Sequence, residues 1–141
     1  MTVEFIDTNV LVYAFDKSAG DKHDIAVDLF KRVTSENAAI FSIQVLMELY
    51  VTLTRKIRSP LTQKDTAEII REVASWSVFS PSPSDVLDAI QISNSCRISL
   101  WDSMIVQAAV KTKASVIWTE DLNDGQVFEG VRVKNPFTKL R

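Results

Sequence analysis

Val3-Glu4-Phe5-Ile6-Asp7-Thr8-Asn9-Val10-Leu11 is the stretch that decides the fold. An apolar run with one charge ends at a carboxylate, and Asp7-Thr8-Asn9 then offers three helix-capping residues ahead of a second apolar run. The pattern predicts a strand over Val3 to Ile6 and a helix from Asn9 to Phe15. An amphipathic helix from Asp21 to Ser35 follows, with Ile25, Leu29 and Val33 on one face. Ala38-Ala39-Ile40-Phe41 reads as a second strand, and Ile43 to Ile57 as a long, mostly apolar helix. Thr62 caps a helix from Gln63 to Trp76, with Asp65 completing a capping-box-like pair. Ser82-Pro83 supplies a cap and a first-turn proline for a helix from Ser84 to Ser95. A further helix begins around Asp102 and ends near Lys113; Val116-Ile117-Trp118 and Val131-Arg132-Val133 read as strands. Strands separated by helices require crossover connections, which predicts an α/β fold: a three-layer α/β/α domain on a mostly parallel sheet.

The chain has 141 residues, 46% apolar and 24% charged, a globular balance sufficient for one well-buried core. No repeat, linker or low-complexity tract divides it, so a single domain is expected over residues 1–141. A single cysteine, Cys96, excludes an internal disulfide and any cysteine-cluster metal site, and a single histidine, His23, excludes multi-histidine sites. There is no apolar run long enough to span a membrane, and Met1-Thr2-Val3-Glu4 lacks a basic leader region, so a soluble cytoplasmic protein is expected. The net charge of −2 argues mildly against nucleic-acid binding by bulk positive charge. It leaves open a site in which carboxylates surround a cation, because the ion then reverses the local field.

In open α/β sheets the ligand site lies beyond the carboxyl ends of the strands. Asp7 and Asp121 follow two such ends. Asp7 also suits a plain helix cap. Glu48 sits in the apolar Gln44-Val45-Leu46-Met47-Glu48-Leu49-Tyr50-Val51, where Gln44, Glu48, Thr52 and Arg55 form one narrow polar stripe, either a thin solvent face or the wall of a cleft. Asp102 shares a helix face with Ile105, Val106 and Ala109 and points inward at the first turn, unless Ser99 and Asp102 merely cap that helix. Asp124 stands in the turn-forming Asn123-Asp124-Gly125. Carboxylates that converge repel one another unless a cation joins them, and an oxygen-only donor set suits Mg²⁺ or Mn²⁺. Such ions serve phosphoryl chemistry by activating water and neutralising charge on the phosphate.

Phe5-Ile6-Asp7-Thr8-Asn9-Val10-Leu11 resembles the opening of PIN-domain proteins, notably the VapC toxins of toxin–antitoxin pairs. Glu48-Leu49, Trp101-Asp102-Ser103-Met104-Ile105-Val106-Gln107-Ala108-Ala109 and Thr119-Glu120-Asp121-Leu122 match the remaining landmarks in order, from Val3 to Pro136. The resemblance implies a metal-dependent ribonuclease in which Asp7, Glu48, Asp102 and Asp121 hold Mg²⁺ or Mn²⁺. Thr8, Asn9 and Thr119 fall where such proteins support the pocket, and Asp124 is an additional candidate ligand. It also implies RNA as substrate, a homodimer, and an antitoxin partner whose Arg or Lys enters the acid pocket. Leu53, Ile57, Ile69 and Val73 are the apolar residues expected to supply a dimer or antitoxin groove.

Other readings are weaker. His23 lies at a solvated helix start and no Gly-x-Ser-x-Gly elbow exists, so a serine hydrolase is not supported. No phosphate-binding glycine loop or dinucleotide turn is present. Cys96 is expected in the core, and Trp76, Trp101 and Trp118 are expected to pack rather than to stack on bases. Arg55, with Lys56 and Arg58, is either a solvated helix end or a phosphate contact; Lys134, Lys139 and Arg141 are similarly ambiguous. A receiver-like phosphoacceptor module and a non-catalytic PIN-like binding module stand as the alternative functions.

Overall fold

The computed structural model describes residues 2–140. Six strands form one sheet: β1 (Val3–Ile6), β2 (Ala39–Ser42), β3 (Ser77–Phe79), β4 (Ala114–Trp118), β5 (Val127–Phe128) and β6 (Val131–Lys134). The helices are α1 (Thr8–Phe15), α2 (Asp21–Ser35), α3 (Ile43–Arg55), α4 (Gln63–Val73), α5 (Pro83–Cys96) and α6 (Leu100–Lys111). The strand order is β3-β2-β1-β4-β6-β5, parallel throughout except that β5 runs antiparallel to β6. The chain therefore winds outward from β1 in one direction, then returns to place β4 on its other side. Beyond the carboxyl ends of β1 and β4, at this reversal, lies the crevice where open sheets bind ligands. A receiver-like module, ordered 2-1-3-4-5, is a different topology.

Both faces of the centre are covered. Every residue of β2 and the last three of β1 are buried, as a parallel sheet between two helical layers requires. α1 packs against both α2 and α3, α3 packs against α4, and α5 and α6 form a second packed pair. Phe5, Ile6, Leu11, Phe41, Leu49, Leu53 and Ile117 are enclosed in a single core. Most helix starts are capped by a side chain: Ser42, Thr62 and Ser99 accept backbone N–H bonds at the starts of α3, α4 and α6. Ser82 and Asp85 close a reciprocal capping box over Pro83 on α5. Caps of this kind contribute about 1 kcal/mol each.

The structure departs from the sequence expectations in several places. β3 and β5 are additional strands. α4 ends at Val73, and Trp76 sits in the turn before β3, edge-on to Phe30 at 5.5 Å. α6 starts at Leu100, with Ser99 as its cap, so Asp102 lies within the first turn. Cys96 is exposed, because the last turn of α5 faces solvent. Leu53 and Val73 are fully buried and therefore form core, not a groove; Ile57 and Ile69 are half-buried against that core. The large apolar side chains left exposed are others, among them Met47 on α3, Leu87 on α5 and Trp101 on α6. Arg141 lies outside the described residues.

Candidate metal centre

Asp7 is held where β1 becomes α1. Its backbone N–H donates to the Trp118 carbonyl at 3.0 Å, fastening the end of β1 to the end of β4. One carboxylate oxygen accepts the Thr8 N–H at 2.7 Å, so Asp7 is indeed the cap of α1. The other accepts the Thr119 hydroxyl at 2.9 Å. The capping and functional readings of this residue are thus compatible, since the two oxygens divide the tasks.

Thr8, one residue on, donates its hydroxyl to Glu48 Oε1 at 2.9 Å, tying α1 to the middle of α3. Gln44, one turn earlier on α3, reaches the same oxygen at 3.5 Å and also donates to the Trp101 carbonyl at 3.1 Å. Asn9 donates to the Thr119 hydroxyl oxygen at 3.3 Å and accepts the Glu120 N–H at 3.4 Å. The Asp121 N–H donates to Thr119 Oγ1 at 3.1 Å. Thr8, Asn9 and Thr119 are therefore the braces of the acid-bearing segments.

Asp7, Glu48, Asp102 and Asp121 all line one cleft of about 660 Å³. Asp7 is its buried floor, Glu48 and Asp102 are half-buried walls, and Asp121 is exposed at the rim. The acids share a cleft without closing into a cage: among the described residues, no three carboxylate, imidazole or thiol groups stand in a ready metal-binding cluster. An ion that retains part of its water shell bridges wider gaps than direct ligation spans. Asp124 does not join them. Its carboxylate accepts the Asn135 N–H at 2.8 Å and pins the turn before β5, which corrects the expectation of a further ligand. Arg55 is also outside the cleft; α3 ends there and the chain bends back, so Lys56 and Arg58 line it instead.

The electrostatics follow from burial. Desolvation raises the Asp7 pKa to about 7 against the hydrogen bonds from Thr119 and Thr8, and the charges of Asp121 and Glu48 add to the rise. Asp102 is raised as well, by burial and by Asp121, with the Ser99 hydroxyl opposing. No cation of the chain pairs with any of the four among the described residues. An oxygen-only donor set surrounding a buried, unpaired carboxylate fits a hard divalent cation such as Mg²⁺ or Mn²⁺.

One supporting contact was not legible in the sequence. Glu120 accepts the Tyr13 hydroxyl at 2.6 Å and pairs with Lys22 at 2.9 Å, and the Lys22 ammonium lies over the Tyr13 ring at 4.9 Å. This knot fixes the loop carrying Asp121 to α1 and α2. It joins residues more than ninety positions apart, and no local pattern announces it. His23, by contrast, bonds the Tyr13 carbonyl at 2.8 Å through its ring nitrogen and stays outside the acid cleft.

Comparison with known proteins bears on the family and the fold. The PIN domain family model matches residues 5–127. The DNA-bound VapBC of Salmonella typhimurium superposes with a TM-score of 0.69 at 18% identity, covering 96% of this chain and 99% of that one. A toxin–antitoxin complex from Klebsiella pneumoniae gives 0.68 at 16% identity, over 94% and 97%. Mycobacterium tuberculosis VapC20, a sarcin–ricin loop cleaving toxin, gives 0.64 at 15% identity, over 84% and 89%. At these identities the likeness is one of fold. No curated protein matches the chain in sequence.

Proposed function

The chain belongs to the PIN domain family, and from that premise we propose that it is a metal-dependent endoribonuclease acting as the toxin of a toxin–antitoxin pair. The observation that carries the reading is the buried, cation-free Asp7 at the floor of a cleft whose walls are Glu48, Asp102 and Asp121. These four residues would hold Mg²⁺ or Mn²⁺, which supplies an activated water and neutralises charge on a phosphodiester. The chain's own contribution is placement. Thr119 and the Thr8 N–H fix both oxygens of Asp7, leaving its remaining lone pairs toward the cleft. Thr8 and Gln44 orient Glu48, and Asn9 with Thr119 sets the start of the Asp121 loop. A water activated at the metal would leave the RNA 2′-hydroxyl unneeded as nucleophile, and the resemblance to PIN-domain proteins implies products with a 5′-phosphate and a 3′-hydroxyl.

The solved structures that resemble this chain include toxin–antitoxin assemblies, which favours a protein partner placing an Arg or Lys among the acids through charge-assisted hydrogen bonds. A homodimer in the cytoplasm completes the reading; among the described residues no helix is long and apolar enough to cross a membrane. The test is cleavage of an end-labelled RNA in EDTA, Mg²⁺ and Mn²⁺, with the product ends identified. Metal-dependent 5′-phosphate ends are expected. A 2′,3′-cyclic phosphate would overturn the mechanism, and a chain that binds RNA but leaves it intact in either metal would make it a binding module instead.

A further inference from the structure

Trp101 is 66% exposed, against the expectation that it packs. It stands in the first turn of α6 immediately before Asp102, and both residues line the acid cleft. Leaving an indole in water is unfavourable, and a set of neighbours normally covers it. Here Trp101 has no aromatic partner among the described residues, whereas Trp76 meets Phe30 and Trp118 donates its N–H to Glu4 at 2.9 Å. Its backbone is nonetheless fixed: the Gln44 amide that donates to the Trp101 carbonyl also contacts Glu48. Met47, 60% exposed, lies on the same lip.

The opposite end of the cleft is cationic. Lys56 and Arg58 line it, both are exposed, and neither forms an ion pair among the described residues. Between Gln44 and Lys56 the chain advances about 18 Å at about 1.5 Å per helical residue. Apolar lip, acids and cations therefore succeed one another along α3.

We infer that Trp101 is a base-stacking platform and that Lys56 and Arg58 hold the phosphates of the same strand, so that the RNA runs along α3 across the acids. This rests on the ribonuclease reading and adds the strand's path. Every base offers a π-face, so stacking is tolerant of sequence, and a paired base inside an A-form helix has no face free for the indole. The two cations complement a phosphate backbone that the acids alone would repel. A second copy of the chain fits this lip less well. A two-fold contact there brings Glu48 and Asp102 of both copies toward one seam, where like charges oppose each other.

The experiment titrates the full chain with a fluorescein-labelled, unstructured RNA oligonucleotide and with the same sequence as a duplex. Ca²⁺ is present to engage the carboxylate oxygens, and the RNA is checked for integrity afterwards. Trp101→Ala is expected to weaken binding of the single strand about 5- to 100-fold and to leave the duplex unchanged. Trp101→Phe restores most of it. The Lys56→Ala/Arg58→Ala double variant is expected to lower the slope of log affinity against log salt by about 1.4, at about 0.7 per phosphate contact. Equal affinity of wild type and Trp101→Ala for the single strand overturns the proposal. So does a Trp101→Ala variant that splits a dimer in sedimentation while RNA binding persists. Cleavage with no Trp101 effect removes the platform and keeps the nuclease; a Trp101 effect without cleavage in Mg²⁺ or Mn²⁺ does the reverse.

Discussion

Glu4 and Asp7 leave the same strand three residues apart, and both are buried. Glu4 receives the Arg32 guanidinium on both oxygens, at 2.9 and 3.1 Å, and the Trp118 N–H at 2.9 Å. Those partners, Arg32 first, hold its carboxyl below the ordinary range despite burial. Asp7 receives two neutral donors and faces two further acids, and its pKa is driven to about 7. Asp85 belongs with Glu4: buried on α5, it is satisfied by Ser82, the Gln107 amide at 2.8 Å and Lys111 at 3.6 Å, and is shifted down. The lesson concerns compensation. A buried carboxylate given a cation by the chain is a structural part, and one denied a cation beside other acids is a place for an external one.

The sharpest way to break that contrast is Asp7→Asn. Asparagine caps a helix as well as aspartate, so the start of α1 survives while the charge is lost. Cleavage is expected to fall to background. The metal-free fold should respond in the opposite sense. Because the folded pKa of Asp7 lies above its unfolded value, the native state holds the proton more tightly between about pH 4 and 7. Stability of the metal-free wild type therefore declines as pH rises through that window, by on the order of a few kcal/mol. Asp7→Asn should flatten the decline and be the more stable protein at pH 8, measured by urea unfolding in EDTA. A steeper decline in the variant would show that Asp7 is compensated by something other than a bound cation.

Thr119→Val probes the neutral side of the same comparison. It deletes the hydroxyl that donates to Asp7 and accepts from Asn9 and the Asp121 N–H. Groups that orient ligands in this way are worth about 10- to 100-fold in metal affinity or activity. The loss should appear in the metal concentration needed for half-maximal cleavage, with the acid limb of the pH profile moved to higher pH because Asp7 loses a bond that favours its charge. A purely structural Thr119 would lower thermal stability and leave the metal dependence unmoved.

Glu4→Gln tests the compensated partner and is expected to have the smallest effect. Half-exposed Arg32 keeps water and its helical neighbour Glu36, so the change should cost about 1–2 kcal/mol of stability. Cleavage per folded molecule should be unaltered. A Glu4→Gln enzyme that unfolds normally but cleaves poorly would dissolve the distinction between the two carboxylates.

Much of this was readable in the sequence because it is local. The run from Val3 to Leu11 announces a strand, a carboxylate and a helix start in consecutive positions, and the caps at Thr62 and Ser82 place two more helices. Asp7 and Asp121 were found by the rule that sites follow strand ends. What escaped is either too short or too distant. β5 has two residues and β3 three, too few for alternation to declare itself. The Tyr13–Glu120 bond and the exposure of Trp101 depend on elements brought together only in three dimensions. Arg55 was chosen by helical spacing, but α3 ends at that residue, and the bend beyond it hands the position to Lys56 and Arg58.

The adjacency of β1 and β4 also sets a schedule. Asp7 accepts the hydroxyl of Thr119, a residue 112 positions later, and the strand just before that residue is the fourth of the six described to emerge during synthesis. A nascent chain carries Asp7 and Glu48 well before Asp102, and all three before the end of β4 and Thr119, which fasten Asp7. Contacts of such long range form late and slowly. A growing chain thus completes the cleft only after β4 and Thr119 have been added, however early its first carboxylate emerges.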